Sequence, residues 1–140
     1  MEQTKQSDAV AQLRRNAMMA HLLDALEQGR DIGHYGRLVF AMVARHFMDQ
    51  DELVGWLQRD KDFSEDQARS LALQVQGRNY SPPKREKILE WQRHQEFRII
   101  PHADDPDEGN VYKDLQFPDG VYENIEEYYE EKAEAREARA

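Results

Sequence analysis

The chain has 140 residues, no cysteine, 34% charged residues and a formal net charge of −9. That length suits a single domain, and folding at this size removes roughly 68% of the unfolded chain's surface from water, enough for a core without covalent staples. The lack of cysteine excludes disulfides and thiolate-held clusters. No apolar run approaches the roughly 18 residues of a membrane span, and Met1–Asp8 is polar with no secretory signal, so a cytoplasmic protein is expected.

The charge is unevenly placed. Residues 1–100 hold 15 Lys/Arg against 15 Asp/Glu, whereas residues 101–140 hold 4 against 13, so the acidity belongs to the last forty residues. A neutral body with an acidic end is compatible with an anionic ligand, because local clusters decide binding more than the total does.

Residues 1–8 read as a flexible N-terminus. The first helix is expected from about Asp8 to Gln28, with Val10, Leu13, Ala17, Met19, Leu22, Leu23 and Leu26 as its buried stripe and Gly29 as its stop. A second covers about His34 to Phe47, burying Leu38, Val39, Met42, Val43 and Phe47. A short third, about Asp49 to Gln58, opens on Asp49 with Glu52 three residues later. The fourth opens on a Ser64/Gln67 capping box and runs to Gly77. Ser81 as cap and Pro82 at the first helical position then predict a fifth helix to about Arg93. From Gln95 to Asp119 the pattern lapses into one long irregular loop, with Phe97–Ile100 as a short extended piece. A last helix is expected near Gly120, docked through Val121, Ile125 and Tyr128. Glutamates repelling at i,i+4 should fray residues 130–140. The expected class is all-α, with one multi-helix domain over residues 9–129.

The most informative local feature is Gly33-His34-Tyr35-Gly36-Arg37 running on to Arg45. On a helix starting at His34, Arg37 and Arg45 share a face and lie roughly 12 Å apart. Free backbone N–H groups at that start favour an anion. His34, Arg37 and Arg45 are therefore candidate phosphate contacts, against the plain alternative of a solvated helix face. Lys84, Arg85, Lys87 and Arg93 form a second basic cluster, which Glu86 and Glu90 can balance on a solvated helix. The five histidines lack metal-ligand spacing. The run Asp104, Asp105, Asp107, Glu108 lacks the pattern of a calcium loop. No hydrolase elbow, P-loop or dinucleotide fingerprint occurs, so an enzyme is not expected.

Several segments in order carry a resemblance. They are Gly29-Arg30-Asp31-Ile32-Gly33-His34-Tyr35-Gly36-Arg37, a helix ending in Phe47, Asp62-Phe63-Ser64, a helix to Gln76, and Tyr80-Ser81-Pro82-Pro83. From about Ala17 to Tyr129 the chain resembles the C-terminal domain of the large subunit of archaeal and eukaryotic DNA primase. The resemblance implies a noncatalytic domain that binds the initiating nucleotide's triphosphate and the primer–template 5′ end, beside a catalytic primase or primase–polymerase subunit. It places phosphate contacts at His34, Arg37 and Arg45. Tyr35, Tyr80, Lys84 and Arg85 become possible nucleic-acid contacts, the tyrosines by stacking on a base.

That family holds a four-iron cluster through four cysteines, which match positions near Met18, at Arg85, near Ile100 and near Gly109. None is cysteine in this chain. The resemblance therefore implies a cluster-free accessory type, without metal or other cofactor, its cluster site packed by residues such as Met18, Met19, Trp91, Ile99 and Ile100. The rival expectation is a helical adaptor that binds a basic protein through the acidic residues 122–138.

Overall fold

The computed structural model describes residues 8–78, 81–118 and 121. Seven helices and no strand occur among them: α1 (Asp8–Leu13), α2 (Ala17–Glu27), α3 (Gly33–Ala44), α4 (Gln50–Leu57), α5 (Glu65–Gly77), α6 (Arg85–Gln92) and α7 (Val111–Asp114). The protein is all-α, as its periodicity requires. No described helix is long and apolar enough to cross a membrane.

The expected first helix is two. It breaks at residues 14–16 because Asn16 is a helix cap. Its side-chain oxygen accepts from Met19 N at 3.0 Å and starts α2, while its Nδ2 donates to Asp114 at 3.0 Å. Asn16 is fully buried, so its cap bond with Met19 N forms away from water, while its bond to Asp114 reaches an exposed residue. α2 stops at a Schellman turn. Gly29 N–H donates to Leu26 and Arg30 N–H to Ala25, with Gly29 at φ +69°.

α3 is the central element and packs against α2, α4, α5 and α6. Its second half is buried almost all round, through Val39, Phe40, Ala41, Met42, Val43 and Ala44. Leu38 and Phe47 only lean on the core, and the helix ends at Ala44, so Arg45–Phe47 form a turn. α4 and α5 begin where their caps predict. Asp49 accepts from Glu52 N, and Ser64 and Gln67 make both bonds of the capping box.

α6 begins later than expected, with Lys84 as N-cap. Pro82 is followed by Pro83, which drives Pro82 out of the helical region. The Pro82 carbonyl instead accepts the hydroxyl of Tyr112. Phe97–Ile100 is a series of bends rather than an extended piece. Ile99 and Ile100 are fully buried, each contributing about 1.5–3 kcal/mol of apolar burial, and Ile100 N–H donates to Gln92 Oε1 at 2.8 Å. The unforeseen α7 follows, with Leu115, Phe117 and Val121 closing the core. The expected last helix beyond Val121, its frayed end and the flexible N-terminus lie outside the described residues.

Candidate nucleic-acid interface

The start of α3 is built by residues far away in sequence. Asp60 lies on the turn after α4 with its carboxylate fully buried. One oxygen accepts from Ile32 N at 2.9 Å and from Arg37 Nη1 at 3.1 Å; the other accepts from Asp62 N at 2.8 Å. Arg37 Nη1 also reaches Asp31 at 3.2 Å, and its guanidinium lies over Phe63 at 4.4 Å. The Arg37 side chain is only 11% exposed.

The backbone N–H groups at this helix start are also engaged. Gly33 N–H donates to Asp31 at 2.8 Å, and Tyr35 N–H donates to Gln95 Oε1 at 2.9 Å. Gln95 Nε2 in turn donates to the carbonyls of Ile32 and Phe97. Gly33 sits at φ +79°, and a Cβ there would lie 2.7 Å from Gln95 Nε2, so glycine is required on both counts. Carboxylate and carboxamide oxygens thus stand where an anion at free N–H groups was expected.

The basic stripe is not one surface. His34 and Arg37 share a groove of about 340 Å³ between α3 and α5, with Phe63, Gln67, Leu71 and Gln74. Arg45 lines a different cleft, of about 270 Å³, with Met48, Asp49, Leu53, Ala72 and Gln76. Burial lowers the Arg45 pKa from its ordinary value. Next to it, burial first and the Arg45 charge second push His46 down to about 4, which keeps its ring neutral. That ring meets Phe117 edge-on at 5.6 Å.

Arg85 is also committed inward. Its guanidinium donates to the carbonyls of Glu108 (2.9 Å), Ala103 (2.6 Å) and Asp105 (3.1 Å), tying the acidic loop to α6. In that loop Glu108 is turned into the protein and pairs with His102 Nδ1 at 3.0 Å. Asp107 pairs with Lys113 at 2.7 Å. No group of three or more His, Cys, Asp or Glu able to hold a metal ion occurs among the described residues. Lys84 is exposed at the start of α6, and Tyr80 lies outside the described residues.

What does reach the surface here is an aromatic cluster with cations around it. Tyr35 stacks on Trp91 with centroids 5.6 Å apart and planes 15° apart. His34 meets the edge of Tyr35 at 5.1 Å, and His94 lies 6.4 Å from it. Lys87 Nζ sits 5.8 Å from the Trp91 ring and 3.7 Å from Glu90 Oε2, an exposed ion pair. His34, Lys87, Arg93 and His94 are exposed, while both stacked rings are half-buried. Sequence reasoning had given Trp91 only a core role and had assigned no function to Gln95, Asp60 or Phe63. Trp91 and His94 follow Lys87 at i+4 and i+7, a spacing that places all three on one side of α6 and its extension.

Comparison with protein-family models, curated proteins and solved structures finds no match. The functional reading therefore rests on the chemistry of this surface and on where the fold brings its segments together.

Proposed function

We propose that the chain is a noncatalytic accessory domain for primer synthesis. It binds a nucleotide triphosphate or a primer–template 5′ end and works beside a catalytic primase or primase–polymerase subunit. The observation that carries this reading is a convergence. The cluster cysteines of the primase large-subunit domain match Arg85 and positions near Ile100 and near Gly109, and Arg85, Ile100 and Gly109 lie together in space. A Cβ placed on Gly109 would lie 2.9 Å from Ile100 Cγ1 and 3.5 Å from Arg85 Cγ. Met18, near the fourth position, is fully buried in the core.

Within this reading the ligand lies on the Tyr35–Trp91 stack. A base stacks on the exposed aromatic surface, and His34, Lys87 and His94 face its phosphates. Arg37 is a positioning residue, spending its charge on Asp60 and Asp31 and thereby fixing the helix start that carries His34 and Tyr35. Arg45 acts no more directly, since it lines a separate cleft. Titration with ATP and with a 5′-triphosphorylated primer–template tests the proposal. Binding that weakens with salt, and is lost in Lys87→Ala/Trp91→Ala, is expected. No binding by the wild type, or equal binding by the double variant, overturns it.

A further inference from the structure

A second aromatic–cation cluster lies beside the first. The Phe97 ring has His21 stacked on it at 5.1 Å, with planes 16° apart, and the Arg30 guanidinium over it at 5.2 Å. His21 Nε2 contacts the backbone carbonyl of Arg98 at 2.9 Å, so the Arg98 backbone adjoins the cluster. Arg30 and Arg98 are exposed, and among the described residues neither makes an ion pair. Arg14, Arg37 and Arg69, by contrast, each spend their charge on two carboxylates. The acidic neighbours of the cluster are Asp31, engaged with Gly33 and Arg37, and Glu96.

One side chain joins the two clusters. The Gln95 carboxamide accepts from Tyr35 N–H at 2.9 Å and donates to the Phe97 carbonyl at 3.0 Å. The backbones carrying Tyr35 and Phe97 are therefore held one amide group apart. An internal packing role accounts for His21 on Phe97. It does not call for the exposed Arg30 guanidinium over that ring, or for a second exposed arginine, Arg98, next in the chain to Phe97.

We infer that the Arg30–Phe97–Arg98 cluster is a second contact for a single-stranded nucleic acid, so that one strand is held at two adjacent stations linked by Gln95. The inference rests on the reading of Tyr35 and Trp91 as the first station. A guanidinium carried on an aromatic ring offers its outer face to a base and its edges to phosphate oxygens. Stacking of this kind tolerates any base, so the strand is recognised as unpaired rather than by its sequence.

The test uses the full chain, a labelled oligothymidylate of about twelve nucleotides, and ATP as a separate probe. In Arg30→Ala/Arg98→Ala, oligonucleotide affinity is expected to fall roughly tenfold or more. The slope of log affinity against log salt should drop by about 1.4, for two phosphates on a single strand. ATP binding should be unchanged, and Arg30→Lys/Arg98→Lys should keep most of the slope. Both substitutions are at exposed positions, and unchanged thermal melting serves as the control for folding. Equal oligonucleotide affinity and slope in the alanine variant overturn the inference while leaving the first station standing. If the wild type binds the oligonucleotide through Arg30 and Arg98 but binds no triphosphate, this inference holds and the primase reading fails. If it binds neither probe, both fail.

Discussion

Arg37 donates to a fully buried carboxylate, that of Asp60, at 3.1 Å. The pair closes the start of α3 onto the turn after α4, because the same Asp60 oxygen accepts from Ile32 N. Removing Arg37 leaves a buried charge without its partner, which costs about 3–5 kcal/mol. Arg37→Ala is expected to shift urea unfolding by that much. Arg37→Ala/Asp60→Asn should cost clearly less than the sum of the single changes. Additive losses would show that the two residues do not act as a pair.

Asn16 is expected to matter as a fully buried cap. Asn16→Ala removes the bond to Met19 N and leaves Asp114 without its donor. A well-buried cap is worth about 1–2 kcal/mol, and water replaces the donor that the exposed Asp114 loses. Urea denaturation should show a loss of about 1–2 kcal/mol. Asp114→Ala, which spares the cap, should lose less.

Gly109 is held at φ +92° against Ile100. Gly109→Ala brings a Cβ into a backbone region that alanine rarely adopts and into the Ile100 side chain, so a loss of about 1–3 kcal/mol or more is expected. Ile100→Val/Gly109→Ala should recover only the packing part, because the backbone strain remains. Thermal melting of Gly109→Ala, Ile100→Val and the double variant separates the two contributions.

Arg85 should govern the acidic loop rather than the whole fold. Arg85→Met removes three hydrogen bonds to loop carbonyls while keeping most of the side chain's length. Amide exchange at residues 103–108 is expected to rise well before exchange in α3. Equal acceleration in both would mean that the loop and the core open as one unit.

Acid should weaken the fold through His46. The folded protein holds its pKa at about 4, whereas the unfolded chain binds that proton near 6.5. Between these values the unfolded state binds more protons, so stability falls as pH drops from about 6.5 to 4 and is flat above. Because solvent reaches part of the ring, the effect is discounted to roughly 1–2 kcal/mol. His46→Phe should remove this slope without touching that of the carboxylates. Chemical denaturation of both proteins from pH 4 to pH 7 is the comparison, and parallel curves would show that His46 contributes nothing.

Local rules carried much of the fold. The all-α class, the stop at Gly29 and the caps Asp49 and Ser64 depend on residues within one or two helical turns, and all were legible along the chain. The failures also have local explanations. Asn16 was passed over as an interior residue of a continuous apolar stripe, although asparagine favours caps. Pro82 was read as a helix opener without the effect of Pro83 behind it.

The candidate interface was legible only in part. His34 and Tyr35 stood out because glycines flank them, and they do reach the surface beside Trp91. Arg37 and Arg45 stood out as phosphate contacts and Arg85 as a possible nucleic-acid contact, because a cationic side chain in sequence carries no sign of which carboxylate or carbonyl will meet it. Asp60 stands 23 residues from Arg37, Gln95 stands 60 from Tyr35, and Asp114 stands 98 from Asn16. Periodicity and capping are short-range properties of a helix and survive being read one window at a time. Whether an arginine faces solvent or a buried carboxylate depends on which loops the packed helices bring together, and only the tertiary structure decides that.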